Sequence, residues 1–150
     1  MITPLYIASD HAGYKLKTRL VRYITNSLKL EIEDMGAHEY DEADDYTDFI
    51  VPAAKKTVDT NGRVIVIGGS GNGEAIAANK VPGMRCALGY NIEAAELAMA
   101  HNNSNGLSLG ARLITEDHAM AIVKKWLETE FSSDERHVRR LKKVADLEIT

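Results

Sequence analysis

The segment Arg63-Val64-Ile65-Val66-Ile67-Gly68-Gly69-Ser70-Gly71-Asn72-Gly73-Glu74-Ala75-Ile76-Ala77-Ala78-Asn79-Lys80 sets the architecture of the chain. Four aliphatics in an unbroken run read as a strand buried on both faces, and the small, apolar stretch after Gly73 reads as a tightly packed helix. Four glycines within six residues join the two. They let the backbone reach positive φ and let a ligand approach the main chain, while the amides opening the helix point outward as anion donors. Ser70 and Glu74 are the reactive side chains of this loop. A carboxylate in the first turn of a helix is favoured by the dipole and is expected to stay ionised near neutrality, which suits a general base and suits equally a carboxylate that only complements the dipole.

Two phosphate-binding patterns fail here. A Walker A loop needs Gly-Lys-Ser/Thr where this chain has Gly73-Glu74-Ala75. The dinucleotide fingerprint needs a glycine where Glu74 stands, and it belongs in the first β-α turn. Neither an NTPase nor a dehydrogenase is supported.

Working outward, Leu5 to Ala8 reads as a first buried strand ending at Ser9-Asp10-His11-Ala12-Gly13, followed by an amphipathic helix carrying Leu16, Leu20, Ile24 and Leu28. Asp10 and His11 thus fall at the carboxyl end of a strand, where parallel sheets bind ligands, although Ser9 or Asp10 would also serve as a helix cap. An outer strand is expected over Leu30 to Met35. The acidic loop from Glu39 to Tyr46 reads as solvated, and a helix is expected over Thr47 to Thr60, started or kinked by Pro52. Met84 to Leu88 is a fourth strand, Asn91 caps a helix running to His101, and Leu107 to Arg112 is a fifth strand with an arginine at its end. His101 opens into the amide-rich run Asn102-Asn103-Ser104-Asn105-Gly106.

Thr115 starts a long helix, and a last one spans about residues 133–147. There Arg136 and Arg140 stand one turn apart, a spacing that fits a phosphate clamp or a solvated basic face. The apolar stripe of that helix, Val138, Leu141 and Val144 or Ala145, calls for a partner surface. Strand and helix signals alternate through all 150 residues, so a single α/β domain with a mostly parallel, five-stranded sheet is expected.

With 18 basic and 22 acidic residues, the chain lacks a global basic field, and neither nucleic acid nor a membrane surface is an expected partner. The lone Cys86 excludes an intrachain disulfide framework and any multi-cysteine metal site. The N-terminal Met-Ile-Thr-Pro-Leu-Tyr has no basic region leading into an apolar stretch, so a soluble, cytoplasmic protein is expected.

Taken together, Ser9-Asp10-His11-Ala12-Gly13, Gly68 to Glu74, Ile76-Ala77-Ala78-Asn79-Lys80, His101-Asn102-Asn103, Gly110-Ala111-Arg112 and Arg136-His137-Val138-Arg139-Arg140 resemble type B ribose-5-phosphate isomerases. That family also includes galactose-6-phosphate isomerase subunits. The resemblance covers the whole chain. It implies a Rossmann-like, three-layer α/β/α domain that interconverts ribose 5-phosphate and ribulose 5-phosphate through an enediolate, with no metal and no organic cofactor. It also implies a homodimer or dimer of dimers whose sites are shared between subunits, the C-terminal arginines reaching a neighbour's site.

Many members carry a cysteine base at the position of Gly68. This sequence has no thiol there and resembles the subgroup with an acid at Glu74. By residue matching, Glu74 is the base, Ser70 and the amides of Gly69, Gly71, Asn72 and Gly73 hold the oxyanion and substrate, and His101 opens the sugar ring. Asp10, His11 and Asn102 contact hydroxyls or phosphate, and Arg112, Arg136 and Arg140 neutralise the phosphate. A six-carbon sugar phosphate as substrate, and a non-catalytic phosphosugar sensor, are the alternatives.

Overall fold

The computed structural model describes residues 3–148. Along them strands and helices alternate: β1 Leu5–Ser9, α1 Tyr14–Asn26, β2 Glu33–Asp34, α2 Thr47–Asp59, β3 Arg63–Gly68, α3 Asn72–Asn79, β4 Cys86–Leu88, α4 Ile92–Ala100, β5 Gly106–Gly110, α5 Glu116–Glu128 and α6 Glu135–Ala145. The strands form one sheet in the order β2-β1-β3-β5-β4, and every pairing is parallel.

Strand side chains alternate between two cores. Ile7, Ile65, Ile67, Leu107 and Leu109 face α1, α4 and α5, meeting Leu20, Ile24, Ala95, Ile122 and Trp126. Tyr6, Ala8, Val64 and Val66 face α2 and α3, meeting Ile50, Ala53, Ala54, Ala77 and Ala78. The result is the three-layer α/β/α sandwich that the family resemblance implies, and the sheet is parallel throughout rather than mostly. Each fully buried Ile, Leu or Val contributes about 1.5–3 kcal/mol, and β1, β3 and β5 are buried almost throughout, so their carboxyl ends are the firmest supports the fold offers.

The chain departs from β1 and β3 on opposite faces of the sheet, α1 lying on one and α3 on the other. The crevice above this switch point is where open parallel sheets place ligands.

Two expectations need adjusting. The outer strand pairs regularly with β1 only at Glu33 and Asp34. Beyond them the pairing with β1 continues irregularly past Gly36, whose φ is +106°: the Met35 N–H reaches the Ile7 carbonyl (2.9 Å), the Ser9 N–H the Gly36 carbonyl (2.7 Å) and the Ala37 N–H the Ser9 carbonyl (2.7 Å). Pro52 lies inside α2 rather than starting it. The carbonyl its missing N–H would have bonded belongs to Asp48, and both residues are exposed, so that carbonyl is open to solvent. Among the described residues, no helix is long and apolar enough to cross a membrane.

Candidate active site

Three loops converge at the carboxyl edge of the sheet: Asp10 and His11 after β1, Gly68 to Glu74 after β3, and Arg112 after β5. The β5 turn is strapped to the glycine loop, because the Ala111 N–H donates to the Gly68 carbonyl (2.8 Å) and the Arg112 N–H to the Gly69 carbonyl (3.0 Å). Gly71 takes a φ of +82°, left-handed backbone that suits glycine, and its carbonyl accepts the Ser108 hydroxyl at 2.6 Å. That turn opens α3 at Asn72, and the first N–H groups of the helix have no carbonyl of the helix to bond. Ser70 is exposed beside them, its Oγ accepting the Asn72 N–H (3.2 Å), which leaves the hydroxyl proton free to donate.

Glu74 is only 4% exposed. Its carboxyl group folds back over Gly68, in the space a side chain at residue 68 would need. A thiol at residue 68 and this carboxyl could not share that space. Burial pushes the Glu74 carboxyl above its ordinary range; its own backbone N–H opposes the shift, the nearby Asp10 charge adds to it, and the Gly71 N–H opposes it. The first-turn position alone suggested an easily ionised acid. Desolvation outweighs the helix dipole here.

The loop between β2 and α2 contributes two residues that sequence reasoning passed over. The Tyr46 ring lies over Gly73, filling the room left by its missing side chain. Asp44 is not solvated with the rest of the acidic run: its side chain is 8% exposed and faces His11. Asp44 Oδ1 accepts both the His11 ring Nδ1–H (2.6 Å) and the His11 backbone N–H (3.1 Å). Asp10 turns its Oδ1 to the Gly13 N–H (3.2 Å), supporting the entry to α1. Asp10, His11 and Asp44 bring ligand atoms within 4.8 Å of one another. The close His11–Asp44 pair is a proton-sharing contact, however, since donor atoms around one small cation stand about 3 Å or more apart.

The remaining sequence-derived residues lie elsewhere. His101 caps the C-terminus of α4, and Asn102 follows it, in the loop that feeds β5. The Asn105 carbonyl of that loop accepts from Val64 at the start of β3, which fixes the segment at the amino edge of the sheet, opposite Glu74. The His101 ring stacks on His137 of α6, with centroids 4.3 Å apart and planes 16° from parallel. His137 is buried with its Nε2 unpartnered among the described residues; burial lowers its pKa, and His101, Arg136 and Arg140 act in the same direction. Arg136, Arg140 and Asn102 are exposed around this pair.

A model of the ribose/galactose isomerase family matches residues 5–144, nearly the whole chain. The chain belongs to the ribose/galactose isomerase family. Over 147 residues it is 46% identical to ribose-5-phosphate isomerase B of Mycolicibacterium paratuberculosis, covering 97% of this chain and 92% of that protein. Among solved structures, ribose-5-phosphate isomerase B of Clostridium thermocellum matches with a TM-score of 0.91 at 38% identity, covering 97% of each chain. The Mycoplasma genitalium enzyme, solved with bound ribulose 5-phosphate, matches with a TM-score of 0.91 at 34% identity, covering 97% of this chain and 96% of that one.

In this ribose/galactose isomerase, Cys86 does not stand in for a loop thiol. It lies on β4, its sulfur packed near Gly106, and burial together with the Glu74 charge pushes the thiol up to about 12. At neutral pH it is neutral and a poor base.

Proposed function

We propose that this chain interconverts ribose 5-phosphate and ribulose 5-phosphate through an enediolate, with Glu74 as the base. The observation that carries the reading is the buried Glu74 carboxyl, held over Gly68 from the first turn of α3. The carboxylate takes the proton from C2 of the open-chain aldose, the C–H electrons form the C1–C2 double bond, and O1 becomes the oxyanion. The O2 hydroxyl proton passes to O1, and return of the abstracted proton to C1 then leaves the carbonyl at C2 and a hydroxyl at C1. The Gly71 N–H is turned to Glu74 and the Asn72 N–H to Ser70 Oγ, so the Gly73 amide and the Ser70 hydroxyl are the donors left for that oxyanion, and each well-aimed donor contributes about 3 kcal/mol. A base whose pKa is raised by burial takes the proton readily and holds it long enough to return it.

A second copy of the chain completes the site. Glu74 and His101 stand at opposite edges of one sheet, so a single subunit does not bring ring opening and enolisation together. Of the α6 residues only His137 is buried, while Val138 and Val144 are about half exposed. Between α3, β4 and α4 runs a groove of about 750 Å³ lined by Ile76, Leu88, Tyr90 and Leu97, an apolar face at an open sheet edge. Closing that face against its twin places His101, Asn102, Arg136 and Arg140 of one copy over Glu74 of the other, in a dimer or dimer of dimers.

Purified protein in excess EDTA is expected to convert ribose 5-phosphate to ribulose 5-phosphate. Allose 6-phosphate and galactose 6-phosphate run beside it decide between pentose and hexose. Tight binding without turnover of any of the three would replace this reading with a phosphosugar sensor.

A further inference from the structure

We propose that Asp44 is a positioning residue that fixes the His11 imidazole by its Nδ1–H, so that Nε2–H is presented as a donor to the anionic end of the substrate. The inference rests on reading this crevice as a sugar-phosphate site. Asp44 grips His11 twice through one oxygen, at the ring and at the backbone, and so sets both the ring orientation and the turn that carries it. A carboxylate only accepts, so the shared proton resides on Nδ1. His11 Nε2 makes no hydrogen bond among the described residues. The second Asp44 oxygen is buried and unpartnered, so the negative charge is directed at His11 rather than dissipated into solvent.

The groups facing His11 come from three elements. Asp44 lies on the β2–α2 loop together with Tyr40, whose ring meets the imidazole edge-on at 6.2 Å. Asp10 lies on its own turn and Arg112 on the turn after β5. The Asp44 hydrogen bond raises the His11 pKa most, burial opposes it, the Asp10 and Asp44 charges add to the rise, and Arg112 lowers it. With Nδ1–H committed to Asp44, Nε2 donates only while the ring is charged. Above the raised pKa it becomes an acceptor turned toward an anion. Binding of the phosphate end is therefore strongest below that pKa and weakens as pH rises through it.

Asp44→Asn keeps the shape and the acceptor oxygen but removes the charge. In the unliganded protein, NMR titration of the His11 ring is expected to show the midpoint falling by about one pH unit or more. Inorganic phosphate, tested as a competitive inhibitor at a series of pH values, should then bind up to about tenfold more weakly between the variant and native His11 midpoints, and with nearly native affinity well below both. Asp44→Glu is expected to restore part of both. An unchanged His11 midpoint overturns the proposal, as does an Asp44→Asn effect on phosphate binding that is the same at every pH. The titration requires no substrate, so a failed isomerase assay would leave it standing, and a failed titration would leave the isomerase reading standing.

Discussion

Glu74 is 4% exposed and enclosed by loops of its own chain, whereas Arg136 and Arg140 stand exposed at the other edge of the sheet, on a helix that buries only His137. The first region is finished within one subunit: its glycine loop, its straps to β5 and its neighbour Asp10 are all in place. The second has its imidazoles stacked and its cations exposed, without an ion-pair partner among the described residues. A base must be desolvated before substrate arrives to have a raised pKa. Phosphate ligands must stay accessible until a dianion neutralises them. In the proposed dimer one rigid subunit satisfies both demands by keeping the two sets apart, and the symmetry of that dimer brings them together.

The sharpest way to break that division is at its closed end. Glu74→Gln keeps the volume and removes the base, and kcat is expected to fall about 10²–10⁴-fold, with kcat/KM falling equally and phosphate affinity nearly intact. In the native enzyme the base is competent only when ionised, so activity should decline as pH falls through a midpoint above the ordinary carboxylate range. Turnover by the Gln variant near the native rate would remove Glu74 from the chemistry and leave the glycine loop as a binding element only.

How far the two regions were legible from sequence differs for the same physical reason. The sheet, its order of elements and the glycine loop are local features: Val64 to Ile67 must be buried, and the glycines must turn. The partition of the site is not local. His101 and Glu74 are separated by which end of α4 and which end of β3 they occupy, and residue spacing does not display that. Asp44 was hidden in a run of five carboxylates between Glu39 and Asp45, where nothing in the composition distinguishes the one folded onto His11 from its solvated neighbours. Tyr46 lacked any signal because its role depends on the absence of a side chain at Gly73, a residue from another loop.

A smaller effect is expected at the open end. Arg136→Ala with Arg140→Ala should raise KM roughly tenfold or more, since hydrogen bonds to charged groups contribute about 1.5–3 kcal/mol each. Co-expressed with Glu74→Gln subunits, these chains form hybrids in which one of two sites has both an intact base and intact arginines. Such a hybrid should regain about half the native activity per dimer. Purified hybrids no more active than their parents would place base and arginines in one chain's site and dissolve the comparison.

The smallest effect belongs to Cys86, which lies in the groove between the two regions. Its position on β4 beside α3 would make it a tempting substitute for the thiol that many family members carry at the loop. The geometry speaks against it: the Asn79 side chain holds the Cys86 backbone from both sides, N–H at 2.7 Å and carbonyl at 2.9 Å, while the sulfur only packs near Gly106. With the thiol pushed up to about 12, a negligible fraction is ionised at pH 7.5. Cys86→Ala removes one small packing group, for which a stability loss on the order of 1 kcal/mol is expected, with kcat within about twofold of native. A loss of turnover approaching that of Glu74→Gln would move the base from the glycine loop to the sheet edge, and the closed region would then be a substrate cradle rather than the seat of the proton transfer.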